Sequence, residues 1–127
     1  SHFIVLHIRL NDTVFAHDEI KHFDILYDYI EKTIIPKWGS NVMVMSNSRL
    51  TKEYICEKYK FKQFVIDPVH TGAIGKFSPS DIQDTMIEFF AISMSKYIYQ
   101  FCEDINQISG FSKRISEIYN IPLEKIK

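Results

Sequence analysis

The run Phe3-Ile4-Val5-Leu6-His7-Ile8-Arg9 is apolar at nearly every position. A strand with one face in water alternates apolar and polar residues. A strand that stays apolar throughout must be covered on both faces, as the strands of a parallel sheet are when helices lie above and below it. This run therefore calls for an α/β layered fold with helices on each side of a short sheet.

The rest of the chain carries the alternation that such a fold needs. From Ile20 the apolar positions Phe23, Leu26, Tyr27, Ile30 and Ile34 recur at steps of three and four. They predict an amphipathic helix, capped by Asp18 and ending near Pro36. Val42-Met43-Val44-Met45 reads as strand two, and Ser46-Asn47-Ser48 as a loop and N-cap before a helix that turns Leu50, Tyr54 and Ile55 inward. Phe61 to Ile66 reads as strand three, closed by Asp67-Pro68. After the glycine-containing loop His70 to Lys76, Ser78-Pro79-Ser80-Asp81 starts a helix expected to bury Ile82, Met86, Phe89 and Phe90. Tyr97 to Phe101 is the fourth strand. Ser109-Gly110-Phe111-Ser112 opens a last helix with Phe111, Ile115, Ile118 and Tyr119 on one face, closed by Pro122. The expectation is a single domain over residues 1–127, a three-layer α/β unit with a parallel sheet of about four strands. Its connections are too long for hairpins, so they are expected to be right-handed crossovers.

At 127 residues and 46% hydrophobic composition the chain fills one core and is short for two. Fifteen Lys and Arg against sixteen Asp and Glu leave a formal charge of −1, so no global field gathers nucleic acid or an anionic membrane. The apolar runs are strand-sized, far below the roughly 20 residues of a spanning helix. Cys56 and Cys102 make no metal-type pair and no disulfide framework, which suits a reducing compartment and a cytoplasmic location. Asn11-Asp12-Thr13 matches a glycosylation sequon but has no secretory signal before it.

Ligands of parallel α/β sheets bind beyond the carboxyl ends of the strands, so the residues to weigh follow Arg9, Met45, Ile66 and Phe101. His7 and Arg9 stand two apart and so share one side of their strand, with Asp12 in the loop beyond. Arg9 either offers its donor fork to an anion or pairs with a surface acid such as Asp12. His7 is either a hydrogen-bonded core histidine or a ligand contact. Ser109-Gly110-Phe111-Ser112 places two hydroxyls at a helix start, where free amides favour a phosphate and where ordinary capping uses the same residues. Ser46 and Asn47 either meet a ligand's polar edge or cap the following helix, capping being the favoured role. Asp84 and Glu88 lie four apart on a helix, as ligand groups or as a solvated face. The chain has no phosphate-cradling G-x-x-x-x-G-K-[ST] or G-x-G-x-x-G, no H-E-x-x-H and no G-x-S-x-G. His7, His17, His22 and His70 lack a metal-ligand spacing, so no metal site is expected.

Taken in order, these motifs resemble the nucleotide-sugar-binding half of fucosyltransferase-like glycosyltransferases, whose GT-B fold faces two Rossmann-like domains across a cleft. The likeness spans nearly the whole chain. The superfamily's His-x-Arg-x-x-Asp at the end of the first strand stands here as His7-Ile8-Arg9-Leu10-Asn11-Asp12. Its polar loop after strand two is like Ser46-Asn47-Ser48, and its late acid and serine turn are like Asp84 and Ser109-Gly110-Phe111-Ser112. Leu10-Asn11 stands where many members carry Arg-Gly, which removes one positive charge.

The resemblance implies a nucleoside diphosphate sugar as donor substrate, a GDP-sugar being favoured, with no separate cofactor and a glycan or other hydroxyl as acceptor. Arg9 would meet the distal phosphate, Ser109 to Ser112 the diphosphate, and His7 and Asp84 the nucleoside. Asp18 and Glu19, in the loop after strand one, are candidates for the catalytic base. A facing N-terminal domain, which 127 residues leave no room for, would complete the cleft, so the isolated chain is expected to bind donor weakly and transfer poorly. The alternative is a non-catalytic α/β interaction domain that keeps the fold, with an apolar partner surface around Trp38 and Phe77.

Overall fold

The computed structural model of the chain describes residues 3–10, 23–46, 48–62, 89–103 and 110–127. Its centre is a four-stranded, wholly parallel sheet of β1 (Ile4–Arg9), β2 (Val42–Ser46), β3 (Ile98–Cys102) and β4 (Leu123–Lys125), in the spatial order β2-β1-β3-β4. Lys62 adds a single parallel bridge to Met43 on the outer edge of β2. The sheet therefore grows from β1 toward β2 and Lys62, and then on the opposite side of β1 through β3 to β4. This is the doubly wound, Rossmann-like arrangement, with its switch in strand order between β1 and β3.

Alternation along the strands divides their side chains between two faces. The first face carries Ile4, Leu6, Ile8, Val42, Val44, Tyr99 and Phe101, packed with Leu26, Ile30, Ile34, Ile55 and Cys56. Its cover is α1 (Asp24–Tyr29), a π-helical turn (Ile30–Ile34), α2 (Ile35–Trp38) and α3 (Arg49–Tyr59). The second face carries Val5, Met45 and Ile98 against Ala91, Ile92, Ile115 and Ile121. Its cover is α4, the helical residues 89–94, and α5 (Gly110–Tyr119). Connections of one hand must change face when the direction of strand addition reverses, which is why α4 and α5 lie opposite α1 to α3. Ile4, Val5, Leu6 and Ile8 are all fully buried. That matches the apolar run from which β1 was expected, each such side chain contributing about 1.5–3 kcal/mol.

Three local expectations are corrected. The first helix does not stop at Pro36 but continues to Trp38. Pro36 has no amide to donate and its ring crowds the preceding turn, and the π-helical turn before it, with Ile35 N–H bonded to Ile30 O, widens the helix enough to admit it. The true stop is Gly39, at φ 66°, a backbone region open to glycine. Phe90, Ile118 and Tyr119, expected inward, are more exposed than buried or nearly so, at 57%, 70% and 47%. Among the described side chains of α5, which do not include Phe111, the inward positions are Ser112 and Ile115, so a polar residue occupies a core place, while Tyr119 leans edge-on against Phe89. Finally, α5 ends at Tyr119 and the chain, after Asn120 at φ 57°, returns as β4, a strand that Leu123-Glu124-Lys125 is too polar and short to announce.

Strand three survives as Lys62 alone among the described residues. Residues 63–66 lie outside them, as do the loop His70 to Lys76, Phe77, the helix start at Ser78 and the side chains Ile82 and Met86. Trp38, expected in a partner surface, is half-buried and points inward. Its indole N–H donates to the Tyr99 hydroxyl at 3.0 Å, and its ring lies 5.8 Å from that of Tyr97. No described helix is long and apolar enough to cross a membrane.

Candidate functional site

Polar side chains of the second face meet between β1 and β3, where the strand order switches: Gln100 at the middle of β3 and His7 two residues before the end of β1. His7 and Gln100 are register partners on these adjacent strands, and both belong to the face covered by α5. The first turn of α5 brings Ser112 down onto them. His7 Nδ1 lies 2.9 Å from Ser112 Oγ, and Gln100 Nε2 donates to the same oxygen at 2.7 Å. Ser112 is wholly buried and Gln100 is 1% exposed, whereas His7 keeps partial access to solvent. Three residues from β1, β3 and α5 thus meet at one hydroxyl.

The electrostatics keep His7 neutral. Burial first, and then the neighbouring Arg9 guanidinium, lower it from 6.5 to about 4. Arg9 ends β1 two residues beyond His7 on the same face and is partly exposed. Its carbonyl accepts the Glu103 amide at 2.8 Å, which ties the loop after β3 to the end of β1. Ser112, in the first turn of α5, lies over His7, which brings the start of that helix close to the end of β1 that carries Arg9.

Of the residues singled out in the sequence, the structure brings together His7, Arg9 and Ser112, with Gly110 and Phe111 in the first turn of α5. Ser112 is turned inward: its hydroxyl is engaged by His7 and Gln100. Ser46 pairs in register with Ile8 and so belongs to the other face, where its hydroxyl accepts the Ser48 amide at 3.0 Å. Ser48 caps α3, accepting the Thr51 amide at 3.3 Å. Asp12, Asp18, Glu19, Asn47, Asp84, Glu88 and Ser109 lie outside the described residues.

Compared with family models, with curated proteins and with solved structures, the chain finds no match. The site must therefore be read from its own geometry.

Gln100 is the member that the sequence did not reveal. In Ile98-Tyr99-Gln100-Phe101-Cys102 it is one polar residue in a buried strand, and such a residue signals a need for a buried partner. Other chemistry is less well placed. A shallow depression lined by Ser48, Arg49, Leu50 and Glu53 lies at the start of α3, but there Arg49 and Glu53 already pair at 2.9 Å. Cys56 and Cys102 are free and buried, and burial pushes the Cys56 thiol up to about 11, far from a nucleophile's range. Among the described residues no three His, Cys, Asp or Glu side chains cluster as metal ligands would.

Proposed function

We propose that the chain is the donor-binding domain of a fucosyltransferase-like glycosyltransferase, holding a nucleoside diphosphate sugar whose sugar passes to a hydroxyl acceptor. The observation that carries this reading is the convergence of Arg9 and the start of α5 at the strand-order switch, coupled through the His7 to Ser112 contact at 2.9 Å. Glycosyl transfer from such a donor leaves a diphosphate, and its developing charge must be met by fixed donors. Arg9 supplies a forked cation and the α5 amides supply oriented dipoles. His7, neutral and partly exposed, suits an uncharged group of the nucleoside. Asp18 or Glu19 takes the proton of the acceptor hydroxyl in this reading. The two buried free cysteines agree with a reducing, cytoplasmic setting.

Ligand-observed NMR with GDP-, UDP-, ADP- and CMP-linked sugars tests the proposal, with wild type and Arg9→Ala side by side. One donor class is expected to bind, and Arg9→Ala to weaken it at least tenfold, the worth of about 1.5–3 kcal/mol for a charge-assisted hydrogen bond. Binding unaffected by Arg9→Ala would overturn the phosphate role. Silence from every donor would turn the reading toward the non-catalytic interaction domain.

A further inference from the structure

We infer that Gln100 is a positioning residue: through Ser112 it holds His7 as the neutral tautomer with its proton on Nε2. The hydrogen-bond inventory of one buried hydroxyl gives the direction. Ser112 Oγ has one proton to give and two lone pairs to receive with. Gln100 Nε2 fills a lone pair at 2.7 Å, and among the described residues the other partner of this hydroxyl is His7 Nδ1, at 2.9 Å, to which its proton is directed. Nδ1 then accepts, and the imidazole proton belongs on Nε2.

All three donors and acceptors sit on rigid supports. His7 and Gln100 are register partners in the sheet, and Ser112 is in the first turn of α5 with no solvent access. The low basicity of His7 agrees with this arrangement: burial first, and then the Arg9 guanidinium, resist a second proton on the ring. With Nδ1 occupied, His7 offers a ligand its Nε2–H, a donor without charge. In the donor-binding reading, on which this consequence rests, His7 meets an uncharged oxygen or nitrogen of the nucleoside while Arg9 meets the phosphate charge.

The test is made on the ligand-free chain, so that it stands apart from any donor binding. Histidine is labelled with 15N, long-range proton–nitrogen NMR correlations report which nitrogen is protonated, and His7 is assigned by its loss in His7→Gln. Wild type is expected to show His7 at the pure Nε2–H limit at pH 6 to 7. Ser112→Ala is expected to move it to the averaged shifts of an unanchored imidazole. In Gln100→Glu the introduced carboxylate accepts but does not donate, so the Ser112 proton turns toward it and His7 should carry its proton on Nδ1. A wild-type His7 with the proton on Nδ1, or with averaged shifts, overturns the inference even if Gln100→Glu does not fold. A folded Gln100→Glu with an unchanged tautomer also overturns it. Failure of every nucleotide sugar to bind would remove the donor reading and leave the tautomer result standing.

Discussion

The two faces of the sheet are built on different principles. The first is an apolar and aromatic interior. Tyr99 receives the Trp38 indole N–H and stacks its ring 4.9 Å from Tyr97 and edge-on at 5.7 Å to Tyr29, whose hydroxyl in turn donates to the Glu124 carboxylate. Further along this side, Lys58 Nζ lies 5.2 Å from the Tyr27 ring and 5.5 Å from that of Tyr59. The second face has a smaller apolar core, and where that core ends it gives its volume to His7, Gln100 and Ser112. Adjacent residues of one strand, Tyr99 and Gln100, show the contrast. One face holds the domain together, and the other accepts the cost of buried polar groups in order to orient them.

The largest effect is expected where the first face is broken. Tyr99→Ala removes a ring that is 1% exposed and strands the Trp38 indole, so it should cost about 3–5 kcal/mol of unfolding free energy. Denaturant titration measures it. Gln100→Leu, one residue along, should cost less, about 1–3 kcal/mol, because it leaves the buried Ser112 oxygen without this donor but keeps a side chain of similar size. Equal losses at the two positions would mean that both faces are structural in the same sense.

Acid should separate the faces next. The unfolded His7 takes a proton near 6.5, and the folded one only at about 4. Between these values the unfolded state binds more protons, so stability falls as pH falls through this window. It is constant, as far as His7 is concerned, above and below it. The whole window is worth up to about 3 kcal/mol, since one pKa unit is about 1.4 kcal/mol. Carboxylates titrate in the same range, so the quantity to measure is the difference between wild type and His7→Gln in urea midpoints from pH 7 to pH 4. The two curves should converge toward low pH. Parallel curves would show that His7 is as easily protonated in the fold as outside it.

The same division explains what could be read from the sequence. Hydrophobic periodicity reports apolar burial, so β1, β2, β3 and the first helix were legible from Phe3 to Arg9, Val42 to Met45, Tyr97 to Phe101 and the spacing of Leu26, Ile30 and Ile34. The passage of Pro36 was not, because it depends on a widened turn that no residue pattern encodes. Nor was β4, whose Leu123, Glu124 and Lys125 are held by pairing to β3 rather than by their own character. In the site, His7, Arg9 and Ser112 were visible as polar residues at strand and helix ends. Gln100 was hidden, because its role comes from register with a residue 93 positions earlier in the chain. The inward turn of Ser112 was hidden for a related reason: a serine in a first helical turn has the same local appearance whether it faces solvent or a buried imidazole.

The smallest predicted effect compares two serines at helix starts, one on each face. Ser48 caps α3, its hydroxyl accepting the Thr51 amide at 3.3 Å and donating to Thr51 Oγ1 at 3.0 Å. Ser48→Ala should cost about 1 kcal/mol, as the loss of a cap does, and leave the His7 spectrum unchanged. Ser112→Ala removes a hydroxyl of the same size but leaves Gln100 Nε2 and His7 Nδ1 facing each other without their bridge, and it should cost about 1–3 kcal/mol. Because the two ranges touch, stability alone does not distinguish these serines. The distinction lies in His7, which only Ser112→Ala should disturb, so each variant is to be read by denaturant titration and by the histidine NMR spectrum together. If both serines moved stability and neither moved His7, the hydroxyl at the start of α5 would be one more cap, and the second face would lose its claim to be the working side of the sheet.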